Sequence, residues 1–333
     1  MDIVYLIGNG FDIKLGLKTR YAEFYKWYMT REPSEYAAVN EFRSAIDPHH
    51  ELWADMEWAM CQYLKEVKRE EDAVRIFEDV QDNLQQYIAL QDEKAELMDN
   101  SNYTEFAKSF FFPDEFFPPA TQRIIRTKIN FQSDNLSTRI ILFNYTTSIE
   151  RLLAWTGSKQ TYKIYNGIAY RQYLQEIEHI HGFCDERGRL ALGCDSPGQI
   201  ANPDLAMSLA VTDRYVKSNY NETFELDHAE KCANWIKKAR AIVIYGLSIG
   251  RTDQRWWDEV ASNLRRDTRT ILFVHFKRDC RLTGNGGPAY QEQKRKDRVW
   301  LLERLGIEEE IVENRIFITY DDNWMKPVDM ISG

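Results

Sequence analysis

The hydrophobic positions of this chain gather into four short, nearly continuous runs: IVYLI (3–7), RIILF (139–143), AIVIYG (241–246) and TILFVHF (270–276). Runs this short, rich in β-branched and aromatic residues, predict strands buried on both faces, as in a parallel sheet covered by helices. Weaker runs at YKIYN (162–166), EIEHIHG (176–182), RLALG (189–193) and RIFITY (315–320) predict further strands. The pattern therefore predicts an open, mainly parallel α/β sheet flanked by helices.

Between the first two strong runs lie about 130 residues that read almost wholly as helix, where an ordinary crossover needs only a dozen or so. ELWADMEWAMCQYLKEV (51–67) is amphipathic, and the stretch 71–98 sets Val74, Phe77, Val80, Leu84, Tyr87 and Ile88 on one stripe suited to internal packing. The aromatic, proline-bearing segment 102–120 predicts an ordered irregular connection, and 202–238 a second helical block. These signals suggest one domain over 1–333: an α/β core from 1–34 and 132–333, with a large helical insertion after the first strand at 35–131. No repeat or low-complexity linker divides the chain.

Composition narrows the picture. The net charge of −9 disfavours a protein whose main work is neutralising nucleic-acid phosphates. The basic runs at 65–70, 263–267 and 293–298 are interleaved with acids and read as solvated helix faces. Five cysteines without a CxxC pair argue against a disulfide framework. No apolar run approaches the roughly 18 residues a membrane span needs, and no leader is legible. The expectation is a soluble, cytoplasmic protein.

Each strong run ends in a polar or glycine-bearing turn. The first ends at Gly8, Asn9, Gly10, Phe11 and Asp12. Glycines there would let a backbone approach a pyrophosphate, beside a helix start that favours an anion. A tight strand-to-helix turn explains the same glycines without a ligand. The third glycine of GxGxxG is absent, and Asp12 adds negative charge unless it caps the helix or faces a ribose hydroxyl. The second run ends in FNYTTSIE (143–150), where Asn144 can donate and accept at once. It suits a ribose hydroxyl or an attacking water, or equally a turn amide bonded to local backbone. Thr146 or Thr147 would cap the next helix.

HIHG (179–182) offers His181 as a base beside a glycine turn, or as a packed core histidine. Alternation would point His179 to the same face, and Asp185 and Asp195 lie nearby in sequence. In IVIYGLSIGRTDQRWW (242–257), Gly246, Ser248, Gly250 and Asp253 form another small-residue turn leading to a helix. GLSIG is spelled like a hydrolase elbow, but the later histidine, His275, lies inside a strand run. A zinc set of His179, His181, Cys184 and Cys194 matches no usual spacing. In LWADMEW, with Trp53 and Asp55, Glu57 could reach into the cleft but reads first as an exposed or helix-paired acid.

Taken in order, IGNGFDIKLGLKTRYAEF (7–24), LWADMEWAM (52–60), FNYTTSIE (143–150), HIHG (179–182) and IYGLSIGRTDQRWW (244–257) resemble the bacterial AbiH family of abortive-infection, phage-defence proteins. That family in turn looks like a distant relative of the Rossmann-like, sirtuin-like NAD-binding fold. The resemblance implies that Gly8, Asn9, Gly10, Phe11, Asp12, Thr146, Gly246, Ser248 and Asp253 bind NAD or a related nucleotide. It also implies that Asn144 and His181 are catalytic, with NAD as substrate or ligand and no required cofactor or metal. Sirtuin-like enzymes carry an acid where this chain has Thr146, and the four-cysteine zinc module of deacetylases is missing. The expected activity is cleavage of the nicotinamide–ribose bond. The alternative is a non-catalytic module that binds a nucleotide signal and acts through a homo-oligomer, a partner or a phage-derived trigger.

Overall fold

The computed structural model describes residues 1–46, 55–96, 103–184, 190–223, 228–278, 287–321 and 323–325. Trp53, Asp185 and Cys280 lie outside them. Among the described residues one seven-stranded sheet runs in the order β3-β4-β2-β1-β5-β6-β7. Its strands are β1 (Asp2–Ile7), β2 (Leu136–Leu142), β3 (Lys159–Tyr165), β4 (Ile168–His179), β5 (Ala241–Tyr245), β6 (Ile271–His275) and β7 (Ile316–Thr319). Every neighbouring pair is parallel except β3 with β4, an antiparallel hairpin at one edge.

Alternation along β1 shows why its run is continuous. Ile3, Tyr5 and Ile7 enter one core with Phe106, Phe110, Ile125 and Leu152. Val4 and Leu6 enter another with Trp235, Ile236, Trp257 and Leu301. Both faces are dry, so neither side of the strand can be polar. Complete burial of each such side chain contributes roughly 1.5–3 kcal/mol.

Between β1 and β2 come α1 (Gly10–Lys14), α2 (Tyr21–Tyr28), α3 (Ala37–Ala45), α4 (Met56–Tyr63), α5 (Glu70–Glu96), α6 (Tyr103–Lys108) and α7 (Pro119–Lys128). After β2 follows α8 (Ser148–Leu152), and between β4 and β5 lie α9 (Pro203–Ala206), α10 (Leu209–Tyr215), α11 (Lys217–Thr223) and α12 (His228–Lys238). Helix α13 (Gln254–Arg266) joins β5 to β6, and α14 (Pro288–Leu305) precedes β7. Helices α12, α13 and α14 cover the Val4 face. A third core joins α2 to α5 with α10, through Phe24, Phe42, Phe77, Leu84 and Tyr215.

Several local expectations change. RLALG is not a strand in its described part: Leu190 to Leu192 pack into the helical core, and the only pairing nearby is an isolated bridge from Cys194 to Val216. Its apolar run is continuous because it is enclosed by helices, which period alone cannot distinguish from sheet burial. The segment 102–120 is more regular than expected, holding α6 and a 3-10 turn at Pro113–Phe116. The helix expected over 51–67 is regular only from Met56 to Tyr63, followed by a 3-10 turn at Leu64–Glu66. On α5, Phe77, Val80, Leu84, Tyr87 and Ile88 are buried as expected, whereas Val74 is only partly covered and Ala73 and Ile76 take the inward positions.

The first glycine turn is held by the third. Gly8 N donates to Tyr245 O at 3.0 Å and Gly10 N to Gly246 O at 2.8 Å. A Cβ at Gly10 would lie 2.5 Å from Gly246 Cα, and one at Gly246 would lie 2.8 Å from Phe11 N. Gly246 also has φ of +65°, which glycine adopts without penalty. Gly246→Ala therefore combines strain with a backbone clash and is expected to destabilise by about 1–3 kcal/mol, read as a lower midpoint in denaturant unfolding.

Candidate functional site

Because β4, β2, β1, β5 and β6 are parallel neighbours, they all release the chain at one edge of the sheet. Four spacings of ~4.8 Å make that row of strand ends about 19 Å long. A cavity of about 1030 Å³ lies there, lined by His181 after β4, Asn144 after β2, Gly10 after β1, Gly246 after β5 and Lys277 after β6. Its volume reaches the upper end of ordinary small-molecule sites, ~300–1,000 Å³.

Most residues singled out in the sequence meet at this cavity: Asn9, Gly10, Asp12, Asn144, Thr146, His181, Gly246, Ser248 and Asp253 line it. Gly8 and Phe11 are not among its lining residues. Phe11 is fully buried in the core, with its ring 6.4 Å from that of Tyr245. Asn9 is tied to the end of its own loop, its Nδ2 donating to Thr19 O at 2.7 Å and its Oδ1 accepting from the Thr19 hydroxyl. Ser248 is exposed at the cavity rim. The strained residue of GLSIG is Ile249, with φ of +52°, rather than the serine at which a hydrolase elbow would turn.

Asp12 neither caps a helix nor stands free. It lies inside the first turn of α1, 1% exposed. Its Oδ2 accepts from Thr146 Oγ1 at 2.8 Å and its Oδ1 from Ser148 Oγ at 2.6 Å. Burial pushes its carboxyl up to about 6, against the lowering effect of Ser148, Thr146 and the nearby Asn144 amide. Thr147 is the residue before α8 but makes no side-chain cap. Its hydroxyl and amide instead donate to Asp92 on α5, both at 2.8 Å.

Asn144 is 4% exposed, and neither its Oδ1 nor its Nδ2 reaches hydrogen-bond geometry with a described residue, although the amide lies near enough to Asp12 to act on its carboxyl. The expected turn amide bonded to local backbone is thus not what forms. Leaving both ends of a buried amide unpaired costs on the order of 1–3 kcal/mol. The Asn144 carbonyl is engaged, with His179 Nδ1 3.0 Å away and His179 Nε2 2.6 Å from Glu150. Strand β4 ends at His179, so alternation stops there. His179 is not among the cavity's lining residues, whereas His181 is.

His181 is 5% exposed, with its Nε2 3.0 Å from Asp253 Oδ1 but outside hydrogen-bond geometry. The same Oδ1 accepts from Lys217 Nζ at 2.8 Å. Lys217, 4% exposed, also donates to Glu57 Oε2 at 2.9 Å and Thr252 O at 3.1 Å. Tyr145 completes the group by donating to Glu57 Oε1 at 3.2 Å. Burial alone would raise the Asp253 carboxyl, but the Lys217 ammonium and His181 hold it well below the usual carboxylate range. Burial wins at Glu57, raised despite Lys217. At Lys217 the order reverses: burial lowers it, and Asp253 and Glu57 drive it well above an ordinary lysine.

Glu57 therefore takes the alternative of reaching into the cleft rather than being exposed or helix-paired, and Asp55, which accepts from Trp58 N at 2.9 Å, also lines the cavity. Lys217 carried no sequence signal: VKSNYNE reads as an ordinary helix start. Of the four nominal zinc ligands, Cys194 points its thiol at Ser196 O and Tyr215 O, both 3.3 Å away, and Cys184 at Gln85 O. No group of three His, Cys, Asp or Glu suited to a metal occurs among the described residues. At the far end of the cavity His275 stacks on Tyr245 at 4.5 Å, and burial pushes its ring down to about 4.

A family model described as Bacteriophage abortive infection AbiH matches residues 4–275. No curated protein matches the chain.

Asp12 makes stability depend on pH. Its folded value, about 6, lies above the unfolded value near 3.9, so its contribution is complete below about pH 4 and is lost as pH rises through 6. The loss is roughly 3 kcal/mol. Urea unfolding of Asp12→Asn, compared with the parent at pH 4 and pH 7, is expected to lack that fall, while Asp195, also raised by burial to about 6, contributes equally to both proteins.

Proposed function

The chain belongs to the bacteriophage abortive infection AbiH family, and from that premise we propose that its defence activity is binding of NAD and hydrolysis of the nicotinamide–ribose bond in the cavity at the sheet edge. The observation that carries this reading is Asn144, a buried amide with both ends unsatisfied, on the same cavity wall as a histidine backed by a carboxylate. The sirtuin-like likeness of the turns agrees with it.

The chemistry is heterolytic. The C–N bond to the pyridinium breaks, nicotinamide leaves with the bonding electrons as a neutral molecule, and positive character develops on the ribose. Water adds to that carbon and gives up a proton. Asn144 orients the water or a ribose hydroxyl, and the His181 imidazole takes the proton. The buried carboxylates of Asp12, Glu57 and Asp253 favour the developing cation, an electrostatic stabilisation that is strong away from water. Thr146 replaces the acid of sirtuin-like enzymes, but its hydroxyl donates to Asp12, so a carboxylate reaches this place from another loop.

A second reading has its own support: the cavity holds a nucleotide signal without cleaving it. The end of α5 grips two cavity loops at once, through Asp92 on Thr147 and through Tyr87 Oη on Lys18 O at 2.6 Å. Ligand occupancy would thereby be coupled to the helical region and to any partner or second copy docked on it.

Purified protein incubated with NAD is expected to release free nicotinamide. Asn144→Ala and His181→Ala are each expected to lower the rate by about 10²–10⁴-fold. Calorimetric binding without release would select the signal-binding reading, and release surviving both substitutions together would move the chemistry elsewhere.

A further inference from the structure

Lys217 and His181 face the same oxygen of Asp253, at 2.8 and 3.0 Å. A carboxylate alone beside a buried imidazole strengthens the hold of the ring on a proton. Here the ammonium takes the aligned hydrogen bond, and His181 Nε2 has no hydrogen-bond partner among the described residues despite its proximity. Glu57 and Thr252 O fix the other two ammonium protons, so all three Lys217 donors are spent and its position is determined.

From this geometry we infer that Lys217 is a positioning residue for the base: by taking the aligned hydrogen bond of Asp253 it weakens the pull of that carboxylate on a proton at the His181 ring. The role of His181 as base rests on the hydrolase reading above, but the charge arrangement does not. The charged and titratable groups around the imidazole are Asp253 from the segment after β5, Glu57 from α4, Lys217 from α11 and Tyr145 after β2. Asp55 and Asp195 stand farther out, acting on Lys217. Lys217 supplies the positive charge that opposes a second cation at His181, and Glu57 opposes Lys217. Removing either should therefore move the ring in opposite directions.

The test is a pH titration of the His181 ring signal by NMR in the full-length, ligand-free protein, assigned by comparison with His181→Gln. Lys217→Met is expected to raise the pH at which the signal switches by about one unit, and Glu57→Gln, nearly isosteric, to lower it by a smaller amount. In a nicotinamide-release assay the acidic limb of the pH–rate profile should move with the ring, so that activity lost by Lys217→Met near neutrality returns at higher pH. Opposite shifts support the inference even if no nicotinamide is ever released, an outcome that would remove only the hydrolase reading. An unmoved signal in Glu57→Gln overturns it, whether or not Lys217→Met folds. Loss of activity at every pH with no shift assigns Lys217 a purely structural part and overturns it as well.

Discussion

Parallel strands must all hand the chain over at the same edge, and the site follows from that constraint. β4, β2, β1, β5 and β6 run side by side in one direction. The turns after them, separated by up to about 270 residues of chain, therefore open onto one row of strand ends only about 19 Å long. Backbone groups in those turns have no sheet partner, so they are paired by other turns, as where Gly10 N reaches Gly246 O. The glycines that sequence reading assigns to a pyrophosphate first serve this loop-to-loop contact, since neither Gly10 nor Gly246 has room for a Cβ.

Above that edge, the helical region supplies charge and restraint. α5 reaches the first loop through Tyr87 and the second through Asp92, while α4 brings Glu57 and α11 brings Lys217 into the cavity wall. A lone buried ammonium or carboxylate would be severely penalised, and removing one member of a buried pair leaves the other uncompensated. Glu57, Lys217 and Asp253 therefore form a unit to which three distant chain segments must contribute before any of them is stable in place. The cavity is thus a product of the helical region as much as of the sheet.

The polar groups divide into those already satisfied and those left open. Asp12, Thr146 and Ser148 satisfy one another across two loops, and Lys217 exhausts its donors. Among the described residues Asn144 is the buried amide with neither end in hydrogen-bond geometry, beside a histidine whose neighbouring carboxylate is already occupied. Such unpaired groups carry a cost, and at Asn144 it falls on the wall of the cavity.

Strand identity was legible in the residues themselves, because a strand covered on both faces admits almost no polar side chain, and the runs at 3–7, 139–143, 241–246 and 270–276 show that local requirement. The clustering of candidate turns was legible too, once the sheet was read as parallel, since strand direction alone sends them to one edge. Burial of RLALG among helices was not legible, because a short apolar run carries no mark of what covers it. Nor were the partners of Asp12, the unpaired state of Asn144 or the place of Lys217 beside Glu57 and Asp253. Charges and hydroxyls act through space over a few ångströms, and only the packing of α4, α5 and α11 against the sheet edge decides which distant residues come that close.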